Sequence, residues 1–202
     1  IFYRGVPELS GIKTVFTIHN IQYQGKYGME LLNDVLGIPA SEAHIMEYDD
    51  CVNIMKGAIE CADWVSTVSP SYAQEILNPW YSHRLDGILK ERSWKLSGIL
   101  NGIDVVNYNP ETDKNVYANY SVDNMAGKAE NKRKLQERLS LAQDPDVPMI
   151  GMVTRLVSHK GLDLVKEVAD KLMYETNVQF VVLGSGDWEY ECFFREMQNK
   201  YP

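Results

Sequence analysis

The sequence has 202 residues, 45% of them hydrophobic and 24% charged, with a formal net charge of −8. That is the composition of an ordinary globular chain, long enough for one large domain or two partial ones. Twenty-eight acidic residues against 20 basic ones argue against a nucleic-acid partner, whose affinity comes from Lys and Arg neutralising phosphates. No run approaches 18 apolar residues, and no basic segment precedes an apolar one, so no membrane span and no signal peptide is visible. Cys51, Cys61 and Cys192 form no CxxC pair, and an odd, scattered set fits reduced thiols better than a disulfide framework.

In chain order, Thr14 to Ile18 is β-branched and aromatic and is expected to form a buried strand. Val52 to Cys61 reads as a helix and Trp64 to Val68 as a second strand. Ser69-Pro70 opens a helix, with Ser69 as N-cap and Pro70 in the first turn. Arg84 to Arg92 is expected to be helical, and Gly98 to Leu100 to be a short strand ended by the turn pair Asn101-Gly102. Asp104 to Asp123 crowds Asn, Pro, Asp and Tyr together and reads as a linker between two α/β halves. Beyond it come a polar helix (Asn124 to Leu141), a strand (Met149 to Val153), an amphipathic helix (Leu162 to Tyr174), a strand (Val178 to Leu183) and a helix (Glu189 to Asn199). Leu162, Val165, Val168, Ala169 and Leu172 share one face of the amphipathic helix, which is expected to pack on a sheet. Alternating strands and helices give an α/β fold with mostly parallel sheets. Two strands in the second half leave an open sheet edge, so the sequence is expected to be a segment of a longer polypeptide.

Ligands of open α/β sheets gather at the carboxyl ends of the strands, and four such ends are informative. His19-Asn20 follows the first strand and can either hydrogen-bond a sugar or close a polar turn. Thr154 to Gly161 lies between a strand and a helix. Arg155 can fork two hydrogen bonds onto a phosphate, Lys160 adds a point charge, and the helix directs its positive end to the same place. A solvated basic loop is the alternative. Leu183-Gly184-Ser185-Gly186-Asp187 lets a ligand approach the backbone, or is simply a tight turn with Asp187 capping a helix. A dinucleotide fingerprint needs glycine at position 189, where Glu189 stands. Asn101 sits in a turn that can face a ligand.

Walker, G-x-S-x-G, H-E-x-x-H and EF-hand patterns are absent. His44, His83 and His159 lack ligand spacing to any cysteine. Asp49-Asp50 reads as a solvated helix start rather than an acid/base couple, because adjacent helical residues diverge by about 100°. Trp80, Tyr81 and Trp94 can stack on sugar rings, but packing is the simpler reading.

TVFTIHNIQYQGKYG (14–28), NIMKGAIECADWVSTVSPSYAQEI (53–76), LSGILNGIDVVNYNPETD (96–113), KAENKRKLQERL (128–139), RLVSHKGLDLV (155–165) and VVLGSGD (181–187) together resemble the bacterial glycogen synthases and plant starch synthases. NGID with NPETD, and KAENK before RLxxxKGLDL, are specific in combination. The resemblance implies a GT-B fold of two Rossmann-like domains. Residues 1–105 would be the later part of the N-terminal, acceptor-side domain, 106–122 the interdomain linker, and 123–202 the beginning of the C-terminal nucleotide-sugar domain. It implies retaining transfer of glucose from ADP-glucose to the non-reducing end of an α-1,4-glucan, with no metal or cofactor. Arg155 and Lys160 would bind the diphosphate, with His19 against the donor glucose as the third catalytic residue. Asn20, Asn101, Gly184 and Gly186 would line the substrate site. The place implied is the bacterial cytoplasm, or the plastid for a plant protein. Another GT-B transferase (sucrose, trehalose-phosphate or cell-wall type) and a non-catalytic nucleotide- or glucan-binding module are the rival readings.

Two parts of the family pattern do not appear in these residues: the lysine–glycine–glycine loop, and the acidic donor-site residue with its glycine-rich loop. The 202-residue chain by itself is therefore expected to give no measurable glucan elongation. Incorporation of labelled glucose into glycogen by the purified chain checks this, and robust incorporation would overturn it.

Overall fold

The computed structural model describes residue 3 and residues 5–202. The chain divides into two compact units, Ile1–Ile103 and Asp104–Pro202.

The first unit is built on a parallel three-stranded sheet. Strands β1 (Val15–Ile18), β5 (Trp64–Thr67) and β6 (Leu96–Gly98) lie in the order β1-β5-β6. Val15 pairs with Trp64 and Ile18 with Thr67, while Thr67 pairs with Gly98. A second sheet is antiparallel, in the order β2-β4-β3, from β2 (Lys26–Tyr27), β3 (Glu47–Tyr48) and β4 (Cys51–Asn53). The helices are α1 (Leu31–Asp34), α2 (Ile54–Cys61), α3 (Pro70–Glu75) and α4 (Asp86–Glu91). Ile18, Ile21, Ile59, Val65, Ile76, Leu85 and Leu89 are essentially sealed from solvent and form one core between the parallel sheet and these helices.

Several expectations shift here. Val52 belongs to β4 and not to the following helix, which starts at Ile54 because Asn53 is its N-cap: the Asn53 amide oxygen accepts the Lys56 N–H at 2.9 Å. Asp49 and Asp50 do not begin a helix. Both have left-handed backbone (φ 55° and 56°) and make the two-residue turn between β3 and β4, the geometry that matches a hairpin's twist. The third parallel strand is Leu96–Gly98, two residues earlier than expected. Only Asp86–Glu91 of the stretch 84–92 is α-helical, since His83 and Arg84 have φ of 47° and 78°. Ser69 caps α3 as expected, accepting from the Tyr72 N–H at 3.0 Å.

Two buried lysines close backbone ends that regular structure leaves open. The Lys95 amine, 3% exposed, donates to the carbonyls of Glu60 and Ala62 at the end of α2, and burial pushes its pKa down. The Lys56 amine donates to the carbonyls of His44 and Ile45.

The second unit contains α5 (Ala126–Arg138), β7 (Met149–Val153), α6 (Leu162–Glu175), β8 (Gln179–Leu183) and α7 (Trp188–Lys200). β7 and β8 pair in parallel, from Met149–Gln179 to Val153–Leu183. Asn131 of α5 ties down the irregular stretch before the helix. Its amide oxygen accepts from Tyr117 at 2.8 Å and Ala118 at 3.3 Å, and its NH₂ donates to Ala118 and Gly127. Buried Gln136 bridges α5 to the Gln179 side chain at the start of β8 (2.8 Å). Leu156, Leu162 and Tyr190 form a small core with Met152, Val182 and Phe194. Within α6, Leu162 and Ala169 are buried as expected, whereas Val168 is 55% exposed.

Beyond β7 and β8 the two segments stay in contact through a Leu156–Gly186 bridge. A Cβ on Gly184 would sit 2.0 Å from the Thr154 carbonyl oxygen, and one on Gly186 would sit 2.2 Å from that of Leu156. The bare backbone at both glycines is thus required by the neighbouring strand of the protein itself.

Two stability effects follow. Asn53→Ala removes the α2 cap and leaves the buried Gln24 side chain without the donor it accepts at 2.7 Å. The expected loss is about 2 kcal/mol or more, read by urea denaturation. Gly186→Ala forces backbone away from backbone and should cost about 2 kcal/mol. A transition midpoint equal to that of the parent chain would contradict either account.

Candidate binding edges

Parallel pairing places the carboxyl ends of β1, β5 and β6 on one edge of the first unit. His19-Asn20, Ser69-Pro70 and Ile99 to Asn101 all leave the sheet there. His19 is exposed. Asn20 is half-buried, and its amide oxygen accepts the Gln22 N–H at 2.9 Å, so it shapes the turn with that atom. Asn101 lies beyond the last strand pairing and is exposed. Thus His19, Asn20 and Asn101 share one sheet edge within the unit.

Sequence reading missed the residues that hold this edge in shape. The Thr67 hydroxyl, buried in β5, donates to the Ile18 carbonyl at 2.8 Å. The Tyr72 hydroxyl accepts the Ile21 N–H at 3.1 Å. Gln24, 4% exposed, donates to the His83 carbonyl at 3.0 Å and accepts from Asn53. These partners lie 29 to 59 residues away along the chain, and no local pattern announces them.

In the second unit, parallel pairing brings out Thr154 to Gly161 and Gly184 to Asp187 on one edge, side by side through the Leu156–Gly186 bridge. Arg155 and Lys160 are both exposed, and among the described residues no carboxylate pairs with either. The loop between them is a single 3-10 turn, Ser158–Lys160. Gly161 ends it with left-handed backbone (φ 74°) and begins α6 without a side-chain cap. The positive end of a 14-residue helix therefore faces the segment that carries both cations.

The neighbouring α7 presents a different end. Asp187 occupies its N-cap position but makes no side-chain cap bond, contrary to the capping role read from sequence. Glu191 instead accepts the Gly186 N–H at 3.0 Å and pairs with Arg195 at 3.0 Å. The protein's own carboxylate already fills that helix end, and Gly186 gives its N–H to it. Asp163 in the first turn of α6 is drawn aside by the buried Tyr190, whose hydroxyl donates to it at 2.9 Å. That bond, with burial, pushes the Tyr190 phenol up to about 12. The Lys166 amine lies over the Tyr190 ring, 5.5 Å from its centre.

Trp80, Tyr81 and Trp94 are 84%, 50% and 69% exposed, so none of them is a core residue. Two hollows have neither Arg155 nor Lys160 in their lining, although the second includes Leu156 and Gly184. One of about 390 Å³ is lined by Leu9, Ile12, Val15, Phe16 and Cys61, at the amino end of β1 and away from His19. Another, about 770 Å³, runs along β8 and α7 past Phe180, Phe194 and Met197. Among the described residues no cluster of three His, Cys, Asp or Glu side chains is arranged to hold a metal, and no helix is long and apolar enough to cross a membrane.

Comparison with known proteins converges on one family. Residues 1–91 match the family described as starch synthase catalytic domain. A glycogen synthase of Alkaliphilus metalliredigens is 50% identical over 195 residues, covering 95% of this chain and 40% of the relative. One of Clostridium novyi is 47% identical over 204 residues, covering 99% and 42%. Among solved structures, the catalytic domain of starch synthase IV from Arabidopsis thaliana, bound to ADP and acarbose, superposes with a TM-score of 0.87 at 32% identity over 99% of this chain and 42% of that one. The chain thus spans about two fifths of the length of the curated relatives it matches. An α/β fold with mostly parallel sheets, two cation-bearing and glycine-bearing strand ends and identity near one half along almost the whole sequence make this chain a member of the glycogen and starch synthase family, with the GT-B type of fold.

Proposed function

We propose that the protein to which these residues belong is a retaining glycosyltransferase that moves glucose from ADP-glucose to the non-reducing end of an α-1,4-glucan. The observation that carries this reading is the pair of unneutralised cations, Arg155 and Lys160, at the uncapped N-terminus of α6. Such a constellation suits a diphosphate: the guanidinium forks onto two oxygens, the ammonium adds charge, and the helix end adds backbone N–H donors. The relatives named glycogen synthase, and a structural neighbour bound to ADP and acarbose, support the choice of donor and acceptor.

Breaking the anomeric C–O bond leaves negative charge on the departing diphosphate and positive character on the sugar. Arg155 and Lys160 stabilise the first of these as it develops, so the reading assigns no metal or other cofactor to the step. His19 and Asn20 are assigned to the glucose being transferred, and Asn101 to the same substrate. Gly184 and Gly186 act by letting the second strand end lie against Thr154 to Leu156, which sets the course of the segment bearing Arg155. Because the curated relatives are bacterial, we place the enzyme in the bacterial cytoplasm.

Arg155→Ala and Lys160→Ala in the full-length protein are each expected to weaken ADP binding about 10- to 100-fold, the loss of a charge-assisted contact. Glucan elongation should fall at least as far. Isothermal titration with ADP and labelled-glucose incorporation measure the two, and ADP affinity unchanged in both variants would refute the site. Competition by ADP-glucose but not UDP-glucose separates this reading from other GT-B transferases.

A further inference from the structure

His19 and Asn20 occupy two positions between Ile18 and Ile21, whose side chains are 1% and 2% exposed and fixed in the core. The backbone is gripped on each side of the pair by a side-chain hydroxyl from another element. On the near side, the Ile18 carbonyl, half of the Ile18–His19 peptide, accepts the Thr67 hydroxyl at 2.8 Å. On the far side, the Ile21 N–H, half of the Asn20–Ile21 peptide, donates to the Tyr72 hydroxyl at 3.1 Å. Between them the loop supports itself: Asn20 takes the Gln22 N–H with its side chain and the Tyr23 N–H with its carbonyl. The exposed His19 ring therefore projects from a backbone with little freedom to turn.

The second grip is itself braced. Tyr72 lies in the first turn of α3, and its own N–H is held by the Ser69 cap at 3.0 Å. Ser69 is held in turn: its carbonyl accepts the Ala73 N–H at 3.1 Å and abuts Gly98 of β6, where a Cβ would stand 2.0 Å from it. The ring of Tyr72 packs against the core cluster. A phenol placed to fill space needs no partner for its oxygen at the surface of a core; here the oxygen meets the one backbone amide that ends the His19-Asn20 turn.

We propose that Tyr72, with Thr67, is a positioning residue for His19: the hydroxyl of Tyr72 fixes the Asn20–Ile21 peptide and so sets the direction in which the His19 imidazole leaves the sheet edge. This inference rests on the assignment of His19 to the transferred glucose. Its cost to activity arises through geometry, since displacing a substrate-contacting group by about 1 Å is enough to cost up to about 10²-fold in rate.

The test is a double-mutant cycle in the full-length protein. Tyr72→Phe removes one oxygen and keeps the ring in the core, so the protein should stay folded with its thermal midpoint lowered by about 2–4 °C, as for the loss of a single part-buried hydrogen bond in a large protein. kcat/KM for ADP-glucose should fall about 10-fold, carried by kcat and not by the KM for glucan. In the His19→Ala background the same change should alter kcat/KM less than twofold, because there is no imidazole left to aim. The calorimetric affinity for ADP-glucose is measured alongside, so that a variant too slow to assay still completes the cycle. Thr67→Val, which removes a buried hydrogen bond and costs more stability, is expected to show the same dependence of kcat/KM on His19. If Tyr72→Phe leaves both quantities within twofold while His19→Ala is impaired, the positioning role is wrong and the His19 assignment stands. If Tyr72→Phe is equally damaging with and without His19, the hydroxyl serves only the fold and the inference fails. If His19→Ala is itself as active as the parent, the assignment of His19 and this inference fall together.

Discussion

Parallel strand pairing is the constraint on which everything else in the two units rests. In the first unit it aligns the ends of β1, β5 and β6, and in the second those of β7 and β8. Every candidate ligand residue leaves a strand at such an end. An antiparallel arrangement would send neighbouring ends to opposite edges. The pairing is also demanding, since each strand must return to the same side through a crossover. The short helices α2, α3 and α4 perform this in the first unit and α6 does so in the second.

Side chains finish what the short elements leave open. Few helices in the first unit exceed two turns, so a large fraction of their backbone groups are ends. Asn53, Ser69, Lys56 and Lys95 supply the missing partners from inside the protein. In the second unit Asn131 and Gln136 serve the irregular stretches around α5. Buried amides and amines of this kind are costly unless fully satisfied, and among the described residues no buried side-chain polar atom lacks a partner. The result is a scaffold whose loops are held by single, nameable hydrogen bonds. Thr67 and Tyr72 at the His19-Asn20 turn are members of that set.

The two helix ends at the edge of the second unit show how charge sorts otherwise similar structures. Both α6 and α7 point positive ends toward the carboxyl edge of β7 and β8. Glu191 occupies the end of α7 through the Gly186 N–H, whereas Asp163 at the end of α6 is engaged by Tyr190. Each end thus carries a carboxylate from its own first turn, tied to the Gly186 N–H and Arg195 in α7 and to the Tyr190 hydroxyl in α6, and only the α6 end has Arg155 and Lys160 on the segment that leads into it.

Much of this molecule was readable in the residues. The short apolar runs 15–18, 149–153 and 179–183 had to be strands, the Ser69-Pro70 pair had to start a helix, and the spacing of Leu162 and Ala169 had to bury one face of α6. These are local decisions, made by side-chain shape and by hydrogen bonds within a few residues, and the family motifs are local too. The antiparallel sheet was not readable, because strands of two or three residues have no periodicity and Asp49-Asp50 carries no glycine to mark its turn. The start of α2 was misplaced for the same reason: apolar content continues through Val52, and only pairing with β2 and β3 makes it a strand. Likewise the sequence alone placed His19, Arg155 and Lys160 at strand ends. Which groups hold those ends, which glycine meets backbone rather than ligand, and which partner each helix-end carboxylate takes were decided only by tertiary structure. Each depends on contacts between residues tens of positions apart, and such contacts exist only once the sheet has formed.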